Sequence, residues 1–145
     1  MEPPILVLHV EDDYSVTASV ATLLNTAGHV SVAVASAENA LAWMGQRSAD
    51  PDVLILDFEL PGEMQGGELA QEVHRCLGLV LPTIVLSGRL TDVGLPWIPG
   101  SPILCVWKPV DPEVLLKAVE TFATFGRFAR SRMQSYRRER SLIAG

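Results

Sequence analysis

The sequence predicts an α/β fold, a doubly wound parallel sheet of five strands, and three observations predict it. Short apolar runs such as Ile5 to Val10 and Val53 to Leu56 read as strands buried on both faces. Segments with apolar residues at helical spacing alternate with these runs, as right-handed crossovers between parallel strands require. Two of the runs end in carboxylates, Glu11-Asp12-Asp13 and Asp57, and ligands of such sheets gather outside the carboxyl ends of strands.

The elements follow in order. After the first strand, Val16, Val20, Leu23, Leu24 and Ala27 form a helical stripe, and Gly28 stands where a left-handed cap is wanted. Val30, Val32 and Val34 alternate with small residues as a second strand, and Ser36 is an N-cap for a helix carrying Ala40, Leu41 and Met44. Asp50-Pro51-Asp52 leads into the third strand, and Leu60-Pro61-Gly62 turns the chain before a third helix from about Gly67 to Leu77. Pro82 opens a fourth strand, Thr83 to Leu86. The span 89–102 holds Gly94, Pro96, Pro99, Gly100 and Pro102. A helix-interior proline costs about 3 kcal/mol, so at most one short turn near Leu90 to Gly94 is expected there. Ile103 to Trp107 is the fifth strand, and Asp111-Pro112 starts a helix with Val114, Leu115, Ala118, Val119 and Phe122 on one face.

At 145 residues, 48% hydrophobic and 19% charged, the chain is expected to be one globular domain with a single substantial core. Its longest apolar stretch is too short to span a bilayer, and its acidic N-terminus lacks a secretory pattern, so a cytoplasmic location is expected. Cys76 and Cys105 lie in apolar segments without metal-ligand spacing and are expected to be buried, reduced thiols. His9, His29 and His74 form no catalytic pattern, and His9 is expected to be packed or hydrogen-bonded at the core edge. Asp13 reads as a solvated residue or the N-cap of the first helix in preference to a ligand.

Glu11 and Asp12 after strand one, Asp57 after strand three, Ser87 after strand four and Lys108-Pro109 after strand five form a set. With Val10-Glu11-Asp12-Asp13, Leu56-Asp57-Phe58-Glu59-Leu60-Pro61-Gly62, Leu86-Ser87-Gly88 and Lys108-Pro109, the chain resembles the receiver domain of two-component response regulators from about Ile5 to Phe122. The resemblance implies a flavodoxin-like strand order 2-1-3-4-5, with the fourth helix shortened or absent here, and a receiver over residues 1–125 followed by an Arg-rich helical extension over 126–145. It implies a switch and not an enzyme. Asp57 would be phosphorylated by a sensor histidine kinase or phosphotransfer protein, with Lys108 and Ser87 assisting, and Mg²⁺ would be held directly by Asp12, Asp57 and the backbone carbonyl of Glu59 and through water by Glu11. Mg²⁺ accepts such hard oxygen ligands. Charge neutralisation is what attack by a carboxylate on an anionic phosphoryl group requires.

A phosphohydrolase with an attacking aspartate is the competing enzyme class, but its nucleophile follows the first strand and its cap needs length this chain lacks. A pseudo-receiver that binds proteins without phosphorylation is the other alternative, motivated by departures from the family. The Ser87 bond to the phosphoryl group is the expected switch trigger. Cys105 stands where receivers place a switching aromatic, three residues before the lysine, and Trp107 points to the same side of the strand and is expected to take part of that role. The fourth helix is replaced by the Pro-rich span with Trp97 and Ile98, which reads either as a partner surface or as an irregular connection. The loop Gly62 to Gly66 is one residue longer than usual and carries Gln65.

Net charge is −6, but residues 1–126 carry 5 Lys/Arg against 16 Asp/Glu, and residues 127–145 carry six Arg against one Glu. Arg127, Arg130, Arg132, Arg137, Arg138 and Arg140, with Phe128, Met133 and Tyr136, read as a solvated helix, a homodimer or downstream-partner contact, or a nucleic-acid contact. The acidic body argues against nucleic acid, and no membrane association is expected.

Overall fold

The computed structural model describes residues 3–60, 62–64, 66–78, 81–88 and 102–144. Within them the chain forms β1 (Leu6–Val10), α1 (Tyr14–Thr26), β2 (Val30–Val34), α2 (Ala37–Gln46), β3 (Val53–Asp57), α3 (Gly66–Leu77), β4 (Thr83–Ser87), β5 (Ile103–Trp107) and α4 (Pro112–Ala144). The five strands pair in parallel in the order β2-β1-β3-β4-β5. The central strands β3 and β4 are buried at every residue, which is why their apolar runs are continuous. The expectations for the span 89–101, for Pro61 and for Gln65 lie outside the described residues.

Local chemistry sets the helix ends. The Asp13 carboxylate accepts from the Ser15 amide (2.9 Å) and the Ser36 hydroxyl from Asn39 (3.1 Å), while Asp111 accepts from the amides of Glu113 (2.9 Å) and Val114 (3.3 Å). Gly28 ends α1 with φ +86°, a conformation open to glycine at little cost.

Two cores flank the sheet. Leu8, Val10, Leu54, Leu56 and Val85 pack against Ala40 and Met44 of α2 and Leu69 and Val73 of α3. On the other face Val7, Ile55, Ile84 and Leu86 meet Val20 and Leu24 of α1 and Leu115, Val119 and Ala123 of α4. Val114 is 51% exposed instead of buried, because Leu115 takes the core position of that first turn. Both cysteines are exposed, contrary to expectation: Cys76 lies outside the Leu69/Val73 stripe of α3, and Cys105 sits on β5, the outermost strand of the sheet. His9 is fully buried, but among the described residues neither ring nitrogen finds a hydrogen-bond partner.

α4 runs unbroken through Gly126. A Cβ there would lie 3.1 Å from the Asp52 carbonyl oxygen and 3.2 Å from Pro82, so glycine permits the helix to approach the amino edge of the sheet. Asp52, 6% exposed, is held there from three sides. Its Oδ2 accepts from the Leu6 amide (2.9 Å) and from Arg127 Nη2 (3.2 Å), and Arg130 Nη1 lies 3.5 Å from Oδ1. Arg127 also donates to the Pro4 carbonyl (2.8 Å) and Arg130 to that of Pro51 (2.9 Å). Two arginines of the basic segment therefore belong to the body, a role its charge pattern did not disclose.

Candidate functional site

The site lies at the opposite, carboxyl edge of the sheet. The register pairs Val10 with Leu56 and Asp57 with Leu86, so the residues leaving β1, β3 and β4 emerge at one level. Oxygen atoms of Glu11, Asp12 and Asp57 all lie within 4.8 Å of one another. Glu11 is buried, Asp57 is 8% exposed and Asp12 is exposed. Backbone contacts fix the frame: the Glu11 amide donates to Val34 (3.0 Å), Phe58 to Leu86 (3.0 Å) and Lys108 to Ser87 (2.7 Å). The Asp57 Oδ1 accepts from the Glu59 amide (3.1 Å), which orients the carboxylate.

Lys108 reaches in from beyond β5, across a cis Lys108–Pro109 peptide. Its Nζ donates to Glu11 Oε2 at 2.9 Å and lies 3.5 Å from Asp57 Oδ2. Burial alone would lower the ammonium's pKa, but the Glu11 hydrogen bond and the Asp57 and Glu11 charges outweigh it and hold it above the ordinary value. Glu11 is pushed up to about 6, first by burial and then by the neighbouring Asp57 charge, against the pull of Lys108. One ammonium does not neutralise three carboxylates. Oxygen donors crowded in this way fit a small hard dication better than they fit one another.

The cluster opens into a cleft of about 410 Å³ lined by Asp12, Asp57, Phe58, Glu59, Ser87, Gly88 and Lys108. It thus unites every proposed catalytic and metal residue except Glu11, which stands behind the Lys108 ammonium. The proposed switch residues lie beside it: Ser87 pairs with Trp107 in register and Val85 with Cys105. Trp107 is 58% exposed and Cys105 is exposed as well, so the two share the solvent side of β5.

Two features went beyond what the sequence disclosed. His9, expected to be packed at the core edge, is fully buried on the α1 and α4 side, and burial followed by the Lys108 charge lowers its pKa to about 4. An apolar groove of about 580 Å³ adjoins Lys108, lined by Val16, Val20, Leu23, Pro109, Val110 and Leu115 among others. Its signal in the sequence was the apolar stripe of the first helix, read there only as core. No described helix is long and apolar enough to cross a membrane.

Comparisons with known proteins agree with this geometry. The response regulator receiver domain family matches residues 7–120. Among solved structures, a CheY-like response regulator receiver domain protein from Methanospirillum hungatei JF-1 is 23% identical with a TM-score of 0.73, covering 86% of this chain and 98% of its own. A putative response regulator from Chloroflexus aurantiacus J-10-fl is 29% identical with a TM-score of 0.72, covering 84% of this chain and 99% of its own. A receiver domain protein from Clostridium thermocellum is 18% identical at a TM-score of 0.74, over 86% and 98% of the two chains. No curated protein matches the sequence.

Proposed function

The chain belongs to the response regulator receiver domain family, and from that premise we propose that Asp57 accepts a phosphoryl group from a phosphohistidine and that the chain signals through protein contacts. The observation that carries this reading is the placement of the Asp57 carboxylate in an open cleft, 3.5 Å from the Lys108 ammonium and beside the carboxylates of Glu11 and Asp12. An Asp57 oxygen attacks phosphorus as the bond to the histidine nitrogen breaks, and the imidazole leaves neutral. Lys108 balances charge on the phosphoryl oxygens, and the Glu59 amide keeps the attacking carboxylate oriented. Glu11, Asp12, Asp57 and the Glu59 carbonyl would hold Mg²⁺, which supplies the remaining charge neutralisation.

The Ser87 hydroxyl then donates to a phosphoryl oxygen, and its neighbour Trp107 responds, with Cys105 leaving the usual aromatic position small. The apolar groove beside Lys108 suits a helix of the kinase or phosphotransfer partner. The protein acts as a modified switch and not as an enzyme on a separate substrate. Its place is the cytoplasm, where ATP charges the kinase.

Incubation with Mg²⁺ and acetyl phosphate, followed by hydroxylamine and peptide mass analysis, tests this reading. A hydroxamate at Asp57 is expected. Wild-type protein that yields none would favour a phosphorylation-independent binding module.

A further inference from the structure

α4 is one helix of 33 residues, about 50 Å long. One stripe of it, through Leu115, Val119, Ala123 and Gly126, faces its own body. Beyond Arg130 the stripe has no buried residue, since every residue from 131 to 143 is exposed, and Arg137 reaches the body with its side chain alone, its Nη2 3.3 Å from where a Cβ would stand on Gly78. A helical segment that short is marginal in water without a packed face. At 100° per residue, Val114, Ala118, Thr121, Phe125, Phe128, Arg132, Tyr136, Glu139 and Ile143 fall within an arc of about 80°. Ala118 at its edge packs on the core, Arg132 and Glu139 place one charge of each sign on it, and the rest is turned away from the body-facing stripe. Phe125 is 46% exposed and Phe128 is 66% exposed, and they sit midway along α4.

Charge is divided about the same midpoint. The first half, with its cap, carries Asp111, Glu113 and Glu120 against Lys117, while the projecting half carries Arg132, Arg137, Arg138 and Arg140 against Glu139. We infer that the outward stripe of α4 binds the same stripe of a second copy, antiparallel, crossing at Phe125 and Phe128. A parallel pair would set the arginine halves side by side, whereas the antiparallel pair lays each basic half along the acidic half of the other copy. With the crossing at 125–126, Glu113 of one copy faces Arg138 of the other on the same flank. Each body lies on the far side of its own helix and leaves the contact open. The surface is separate from the acidic cleft.

Sedimentation equilibrium on the full chain tests the inference with two charge reversals, Glu113→Arg/Glu120→Arg and Arg132→Glu/Arg138→Glu. Wild type is expected to be a dimer, each reversed variant to dissociate at least roughly tenfold more readily, and their equimolar mixture to regain the dimer. Spin labels at Ser141→Cys, in a Cys76→Ser/Cys105→Ser background, are expected about 45 Å apart from the helical rise, against less than about 20 Å for a parallel pair. A monomeric wild type would overturn the inference, including one that gains mass only when a DNA duplex is added. So would unchanged association of both reversed variants, or a short label distance.

Discussion

The two edges of the sheet solve opposite electrostatic problems with the same residue types. At the amino edge a single carboxylate, Asp52, faces two guanidiniums and a backbone amide, so its charge is more than balanced. At the carboxyl edge three carboxylates gather with one ammonium, Lys108, which pairs with Glu11 and Asp57, and Glu11 is pushed up to about 6, first by burial and then by the Asp57 charge. A buried acid surrounded by cations holds structure together, whereas acids in excess of cations are held apart from their preferred state until a cation joins them. The first arrangement is a clamp and the second a receptor.

Neutralising the amino edge should break the clamp. Asp52→Ala leaves Arg127 and Arg130 without a carboxylate, with only the Pro4 and Pro51 carbonyls as partners, and orphans the Leu6 amide, so a loss of about 3 kcal/mol is expected in urea unfolding. Ending the chain after Phe125 removes the same partners and should lower the urea midpoint in the same direction.

Acid should separate the edges next. His9 is lowered from 6.5 to about 4, so its contribution is full above pH 6.5 and is lost as pH falls through that window. Glu11 is raised from 4.5 to about 6, so protonation in the fold adds stability as pH falls through 6. The two oppose each other in metal-free buffer. Replacing His9 by leucine should leave only the Glu11 gain, so the stabilities of variant and wild type, compared at pH 7 and pH 4.5, should diverge by about 2 kcal/mol.

A smaller effect of opposite sign is expected from Asp57→Asn without Mg²⁺. Removing one of the crowded charges should stabilise the fold by about 1 kcal/mol, read as a higher melting temperature, where the same kind of change at Asp52 lowers it. The smallest expected effect is optical. With Trp43 and Trp97 replaced by phenylalanine, Trp107 emission should shift when beryllofluoride is added, and an unchanged spectrum would remove Trp107 from the switch.

The receptor edge was the legible one. Glu11, Asp12, Asp57, Ser87 and Lys108 each follow an apolar run, so strand-end position could be read locally, and the resemblance supplied their roles. The caps Asp13, Ser36 and Asp111 were legible for the same reason, because each acts within three residues of itself. The clamp was not. Asp52 and Arg127 are 75 residues apart, and nothing near either announces the other. Gly126 lies inside a continuous helix, and its cause is the close approach of the Asp52 carbonyl, which no neighbouring residue in the sequence announces. Cys76 and Cys105 were misplaced because apolar neighbours reveal an element and not which of its faces a residue occupies.

The most direct measurement sets the two aspartates side by side. Wild type, Asp57→Asn and Asp52→Asn are incubated with acetyl phosphate, with and without Mg²⁺, and weighed intact. Wild type and folded Asp52→Asn should each gain one phosphoryl group only when Mg²⁺ is present, and Asp57→Asn should gain none. A phosphoryl group retained by Asp57→Asn, or lost from folded Asp52→Asn, would contradict the division between clamp and receptor.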